Sequence, residues 1–305
     1  MNSLKIRSKL LVPLQFFDIV GFNPNNPNPL NEYPLDYLHS GARLISFQVN
    51  DLEQYEIFSK KDIDDLRRGP AIRWCIETEE FQGNGYEIHL LLLAFKLTKP
   101  CSVMVSSYLY PDQLMNSSKP DISYHTKDLD QTEDFPIFEA IELADVEKYY
   151  CALKEMHALG GRASNAIGFT MHGLFQNHAI GAILHWSAAL ECIFGCKRGT
   201  EDATKKIVNR ITGYLSSDDF NNKKISELYN LRSRLIHGEV DKIWQADEKE
   251  NLKITKECWI LWRSCFQKLL LERHFEILNK KNDEREEFFD GFYSNELRCL
   301  TQPSP

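Results

Sequence analysis

The sequence predicts a mostly α-helical protein in which a mixed α/β domain, residues 1–140, precedes a helical bundle, residues 141–305. Three observations lead to this prediction. Alternating apolar and polar residues typical of strands occur in the first part, and apolar residues three and four apart, typical of packed helices, recur in the second. A polar stretch with two prolines, 112–136, separates the two patterns. The length of 305 residues is enough for two ordinary domains.

In the first part, helix and strand patterns alternate over short distances. Extended segments are predicted at 4–20, 42–49, 71–81 and 102–111, a short helix at 60–69 and a buried helix at 85–100. The buried helix is expected to stop at Pro100, because proline cannot continue a helical hydrogen-bond ladder. This mixture favours a separate α/β domain with a sensing or accessory role.

In the second part, the apolar spacing is helical throughout. Helices are predicted at 144–159, 166–195 (as one long helix or two), 202–215, 222–238 and 250–278. The helix at 222–238 has Ile225, Leu228, Leu231 and Leu235 on one face and ends at Gly238. The charged stretch that follows, 279–292, is interpreted as a helix end or tail.

Composition limits the possible function. The net charge of −8 argues against a protein that coats nucleic acid along its whole surface, although a local basic site is compatible with it. Residues 191–281 carry 18 Lys and Arg against 14 Asp and Glu, so this region is locally basic. No signal peptide or membrane span is predicted. The 8 cysteines are scattered and predicted to be reduced, which indicates a cytoplasmic protein that does not bind membranes.

Residues 231–238, LRSRLIHG, are the strongest candidate for chemistry. Arg232 and His237 are five residues apart on a helix, which places them ~140° apart around its axis, on different faces. His237 lies in the last turn, where the helix dipole favours its protonated form. The two side chains could meet at one phosphate if the helix end distorts or if a second copy of the helix packs alongside, as in a twofold dimer.

Such a cleft could cut RNA without a metal. An imidazole with an ordinary pKa of ~6.5 can take the proton of the 2′-hydroxyl or give one to the leaving oxygen. A guanidinium can hold the phosphoryl oxygens and stabilise the charge that develops there. Because the 2′-hydroxyl would be the nucleophile, RNA would be cut and DNA would not. The spacing alone constrains function loosely, since a capping histidine beside solvated arginines is its ordinary interpretation.

The stretch YNLRSRLIHG, 229–238, resembles the signature of HEPN domains, particularly the Apea-like branch. The upstream helix AILHWSAALECIFG, 182–195, resembles that branch too, and the likeness covers roughly 140–280. It implies a helical bundle that dimerises, with Arg232 and His237 forming a composite ribonuclease site without a metal. It also implies a setting in anti-phage defence or toxin-like growth arrest, with a regulatory or antitoxin protein as a partner. Ser233 departs from the Asn, Asp or His that many members have after the arginine.

Two other classes stay open for this domain. Some HEPN domains bind RNA or a protein without cutting, so a non-catalytic dimeric binding module is the main alternative. The third class is an interaction scaffold in which 231–238 merely packs. Chemistry would require His237 to be accessible, whereas a scaffold would bury it.

Several residues could support the catalytic pair. Ser233 and Arg234 lie beside His237 on the helix; Glu191 could orient a basic residue or form an ordinary salt bridge; Tyr229 could stack on a base or pack between helices. A basic cluster could bind RNA phosphates, although a solvated helix face is its ordinary interpretation. The cluster consists of Lys197, Arg198, Lys205, Lys206 and Arg210.

The sequence predicts neither a metal site nor a cofactor. Cys192 and Cys196 lie one helical turn apart and could join His185 as ligands, but buried structural cysteines are favoured because no second Cys/His pair has matching spacing. His172, His178 and His185 are expected to pack rather than to bind metal. No glycine-rich nucleotide motif occurs.

Overall fold

A computed structural model describes residues 9–15, 18–19, 32–34, 43–46, 72–79, 86–99, 104–105, 137–174, 176, 179–239 and 248–301. These residues are mostly helical, which confirms the predicted fold class at that level. The chain divides into two compact units. The first comprises Met1–Ser123 and Asp130–Tyr150, and the second comprises Tyr124–Leu129 and Cys151–Pro305.

The first unit contains a five-stranded sheet in the order β3-β4-β5-β1-β6 and a separate pair of β2 with β7. The strands are β1 (Lys9–Gln15), β2 (Asp18–Ile19), β3 (Glu32–Pro34), β4 (Arg43–Ser46), β5 (Ile72–Glu79), β6 (Met104–Val105) and β7 (Ile137–Phe138). Neighbours in the five-stranded sheet are antiparallel. On the central strand β5, the adjacent residues Cys75 and Ile76 are both completely buried. Successive side chains of a strand point to opposite faces, so both faces of β5 are covered here, whereas the alternating pattern of 71–81 leads one to expect a single buried face.

Helix α1, Tyr86–Thr98, lies between β5 and β6 in the first unit. It buries an almost continuous run from Ile88 to Leu97, so it is a core helix rather than an amphipathic surface helix. It lies within the predicted range of 85–100. The short helix predicted at 60–69 and the loop predicted at 112–136 lie outside the described residues, and a mixed α/β domain over 1–140 stays a prediction.

The remaining helices run from the end of the first unit through the second. They are α2 (Ala140–Ala158), α3 (Gly161–Leu174), α4 (Ala179–Phe194), α5 (Ala203–Leu215), α6 (Asn222–Ile236), α7 (Glu248–Leu271) and α8 (Asn282–Thr301). Within the second unit α4 packs against α3 and α7, and α5 packs against α6 and α8. A contiguous aromatic core joins α4 to α7, with Trp259 5.3 Å from Trp186 and 4.9 Å from Trp262 between ring centroids. None of the described helices is both long and apolar enough to cross a lipid bilayer.

The range 166–195, predicted as one long helix or two, is shared by two helices, α3 and α4. The range 250–278, predicted as a single helix, is divided between α7 and a 3-10 helix, His274–Asn279. Between these last two, Arg273 has a left-handed backbone with φ 56°. Its guanidinium pairs with Glu155 and Glu276, and this stabilises a conformation that a residue with a Cβ rarely adopts. The charged stretch at 279–292 forms most of α8 rather than a tail.

Local capping residues set both ends of α6. The Asn221 side chain accepts a hydrogen bond from the Lys224 N–H at 3.0 Å, as an N-cap does. At the other end Gly238 has φ 76° and donates to the Leu235 carbonyl, and the Glu239 N–H donates to the Arg234 carbonyl. These bonds form a Schellman motif, which needs glycine at the left-handed position, so α6 ends where the sequence predicts.

Candidate functional site

A solvent-open groove of about 650 Å³ lies in the second unit, between α3, α4, the start of α5 and α6, and it includes the segment that joins α4 to α5. The predicted residues Glu191, Lys197, Arg198, Tyr229 and Arg232 all line it. Among its charged lining residues, four are cationic and one is a carboxylate. They are Arg162, Lys197, Arg198 and Arg232, against Glu191. The groove is therefore an electropositive concavity in a chain that is acidic overall.

Glu191 joins α4 to α6 through two bonds to one of its oxygens. The Arg232 guanidinium lies 2.9 Å from Glu191 Oε1, and the Tyr229 hydroxyl donates to the same oxygen at 2.7 Å. Tyr229 is buried, and burial together with the negative Glu191 raises the pKa of its phenol. Arg232 and Tyr229 are three residues apart on one face of α6. Glu191 thus forms the predicted pair with a basic residue and holds the Arg232 guanidinium in the groove.

Arginines from three different helices bind the carbonyl groups at the end of α4. Arg162 donates to the carbonyls of Glu191 and Cys192 at 3.4 and 3.3 Å. Arg210 donates to the Phe194 carbonyl, and Arg285 to the Gly195 carbonyl, each at 2.9 Å. The last carbonyls of a helix have no partner within the helix and carry its negative dipole end, so cations are favoured there. These three arginines, which we call the arginine clamp, fix the backbone that carries Glu191.

The segment after α4 forms a tight turn beside the groove. The Thr200 N–H donates to the Lys197 carbonyl at 3.3 Å, and Gly199 has φ 81° at the third position, where a type II turn requires a positive φ. The Lys197 N–H also donates to Glu286 on α8 at 2.8 Å. The turn leaves the side chains of Lys197 and Arg198 exposed at the groove.

His237 is exposed at the end of α6, outside the residues that line the groove. Its backbone caps the helix, with its N–H donating to the Ser233 carbonyl at 3.1 Å. Ser233 is exposed as well, and Arg234 pairs with Glu239 at 3.3 Å. Within one chain, Arg232 and His237 therefore lie on separate surfaces of the same helix, as the ~140° separation predicts.

The predicted basic cluster does not act as one surface, and the assignment of Arg210 to RNA binding is wrong. Arg210 is only 1% exposed and bonds to Asp290 and Glu286 in addition to its bond within the arginine clamp. These carboxylates raise the pKa of its guanidinium against the opposing effect of burial, so it is a buried structural cation. Lys205 and Lys206 are exposed on α5 but do not line the groove.

The structure describes four of the five residues that the sequence offers as alternative metal ligands, namely Cys192, Cys196, His172 and His185. Burial raises the pKa values of the Cys192 and Cys196 thiols, as expected for structural cysteines. His172 and His185 lie on different helices, with ring centroids 5.8 Å apart, and His178 lies outside the described residues. Among the described residues, no group of three or more His, Cys, Asp or Glu side chains is arranged to hold a metal ion.

Three groove residues on α3 were not predicted from the sequence. Arg162, Asn165 and Phe169 all line the groove, and their spacing of three and then four residues places them on one helix face. That spacing was a usable signal, because a guanidinium, an amide and a phenyl ring there interrupt a helix that is otherwise rich in small and apolar residues. Only the tertiary structure shows that this face of α3 lines the same groove as Arg232.

No family model matches the chain, and neither the curated proteins nor the solved structures include a match.

Proposed function

We propose that the chain is a metal-independent endoribonuclease of the HEPN type, active as a homodimer. One observation carries the proposal: α6 presents Arg232, held by Glu191, in an open cationic groove, and ends on the exposed His237. A guanidinium and an imidazole at the surface of one short helix segment supply the two functions that RNA cleavage needs, namely charge stabilisation and proton transfer. The resemblance of residues 229–238 to the HEPN signature supports the same assignment.

In the proposed reaction the 2′-hydroxyl of the RNA attacks the adjacent phosphorus. His237 takes the proton from that hydroxyl or gives one to the departing 5′-oxygen, and Arg232 stabilises the charge on the phosphoryl oxygens. The new bond joins the 2′-oxygen to phosphorus and the bond to the 5′-oxygen breaks. The products are a 2′,3′-cyclic phosphate and a free 5′-hydroxyl, with no metal in any step.

A second copy of the chain would bring an Arg232 and a His237 close to each other. Arg232 and His237 are separated by ~7.5 Å along the axis of α6 as well as by their angle around it. Between them Ile236 is 54% exposed, so a dimer contact at this end of α6 would cover an apolar side chain. A twofold axis near this end of α6 would bring two arginines and two histidines around one shared cleft.

The wider assignments follow from the resemblance and remain proposals. The setting would be anti-phage defence or toxin-like growth arrest, with cleavage restrained by a regulatory or antitoxin protein until a signal arrives. The first unit, with its sheet and buried α1, would serve sensing or partner contact. None of these roles is required for the chemistry of the groove.

The main alternative is a dimeric module that holds RNA without cutting it. The observation in its favour is that Glu191 already occupies Arg232, so the guanidinium is neutralised until a phosphate competes for it. Retention of intact RNA by the purified dimer would distinguish this alternative from cleavage.

The test is RNA cleavage by the purified full chain, compared with Arg232→Ala, His237→Ala and the control Lys223→Ala. Lys223 is an exposed cation in the first turn of α6, so its loss changes charge on the same helix at a distance from the site. Loss of a general acid or base costs ~10²- to 10⁴-fold in rate. We expect that loss of rate for His237→Ala, an equal or larger loss for Arg232→Ala, and unchanged activity for Lys223→Ala. The products should carry 2′,3′-cyclic phosphate ends, and EDTA should not inhibit the reaction. Full activity of His237→Ala would refute the mechanism.

A further inference from the structure

We propose that the groove between α3, α4 and α6 binds one unpaired nucleotide of the RNA, with its base against Phe169 and its phosphate on the cationic wall. The RNA part of this inference rests on the proposed function; the base-and-phosphate site itself rests on the groove. The ligand that the groove would recognise is a nucleoside phosphate, either as part of an RNA strand or as a free nucleotide.

Phe169 is the surface on which a base would stack. Its side chain is 38% exposed and lines the groove, whereas its helix neighbours Ile167 and Thr170 are completely buried. The centroid of its ring lies 6.4 Å from that of the His185 ring, and the two rings are tilted by 51° to each other. An exposed phenyl ring beside cations is how proteins that bind single strands hold bases, since every base has an aromatic face.

The phosphate would bind on the opposite side of the same groove. The Arg232 guanidinium already holds an anionic oxygen, that of Glu191, at 2.9 Å, which shows that this side chain can present its N–H groups to such a ligand in the groove. Lys197 and Arg198 are exposed on the adjacent turn. The surplus of cationic over anionic lining residues complements a phosphodiester.

The Asn165 side chain can form hydrogen bonds with the edge of a base. Asn165 lies between Arg162 and Phe169 on the same face of α3 and lines the groove. An amide can both donate to and accept from the edge of a base, as asparagine does in many nucleic-acid complexes. A base stacked on Phe169 would have such a partner on the same helix.

The size of the groove favours a single nucleotide over a duplex. Its volume of about 650 Å³ falls within the range of ~300–1,000 Å³ that is usual for small-molecule sites. A base within a duplex is stacked on both faces, so its face is not available to Phe169. The groove therefore selects a nucleotide in a loop, a bulge or a single strand.

The experiment measures binding to the full chain in the His237→Ala background, so that cleavage does not consume the probe. Fluorescence anisotropy would follow a labelled 10-nucleotide single strand, the same sequence as a duplex, and competition by AMP. Phe169→Ala is compared with Phe169→Tyr, which keeps an aromatic face, and with Leu271→Ala, which removes an exposed apolar side chain of α7 outside the groove. Circular dichroism checks that each variant is folded.

We expect Phe169→Ala to weaken single-strand binding by roughly 5- to 150-fold, the loss of one base–aromatic stack. Phe169→Tyr and Leu271→Ala should stay close to the parent, and duplex binding should not respond to Phe169→Ala. Equal single-strand affinity of Phe169→Ala and its parent would overturn the proposal. If AMP binding depends on Phe169 and RNA binding does not, the groove takes free nucleotides and the RNA assignment is overturned. Phe169-dependent RNA binding by a wild-type chain that never cleaves would refute the proposed ribonuclease while leaving this site in place.

Discussion

Replacing Glu191 by alanine tests the bonds that hold Arg232 in the groove, and its cost can be worked out from the structure. The ion pair with Arg232 is one-third exposed on both sides, so it contributes only ~0–1 kcal/mol. The larger effect is on Tyr229, whose buried hydroxyl donates to Glu191 at 2.7 Å; leaving such a donor unsatisfied costs ~1–3 kcal/mol. We expect Glu191→Ala to lower the unfolding free energy by roughly 1–4 kcal/mol, the sum of the two effects.

The assay is urea unfolding followed by tryptophan fluorescence, because Trp186, Trp259 and Trp262 report on the core of the second unit. Glu191→Gln keeps an acceptor oxygen for Tyr229 and should cost less than ~1 kcal/mol, the upper value for an exposed pair. Tyr229→Phe removes the hydroxyl that would otherwise lose its acceptor in Glu191→Ala. In that background Glu191→Ala should also cost no more than ~1 kcal/mol.

An equal cost of Glu191→Ala with and without Tyr229→Phe would contradict the contact between the two side chains. Equal costs would mean that Glu191 and Tyr229 are not coupled, and the bond to the hydroxyl would not exist in solution. A coupling larger than ~0.5 kcal/mol, the usual limit of additivity for independent sites, would support the geometry that positions Arg232.

Two further predictions concern groups that burial has removed from solvent. Arg210→Ala should lower the unfolding free energy by ~3–5 kcal/mol, because it leaves the carboxylates of Glu286 and Asp290 and a carbonyl at the end of α4 without their buried cation. Lys205→Ala on the same helix should change it by less than ~0.5 kcal/mol in the same urea titration, and similar costs for the two would contradict the structure. Burial raises the pKa of the Cys258 thiol to about 12. The folded chain therefore keeps a proton that the unfolded chain releases above pH ~8.5. The unfolding free energy should fall between pH ~8.5 and 12, by up to ~1.4 kcal/mol per pH unit. Cys258→Ala should make that part of the measured pH profile flatter, and an unchanged slope would contradict the assignment.

Local patterns in the sequence were sufficient for much of the helical part. The bounds of α6 follow from Asn221 and Gly238, because capping depends on residues within a turn of the helix end. The separation of α3 from α4 and the end of α7 were harder to predict, since apolar spacing continues across each break. The left-handed backbone at Arg273 is stabilised by Glu155, a partner 118 residues away that no local pattern reveals.

The sequence by itself determined that a helix would end at residues 231–238 with an arginine and a histidine on different faces, because a helix fixes the angle between residues five apart. Only the tertiary structure decided which basic residues face solvent. Arg210 is drawn inside by carboxylates of α8, while Arg162 and Phe169 line a groove with Glu191 and Arg232. Charge and periodicity are local properties of a chain, whereas burial and proximity depend on partners brought together from distant parts of it.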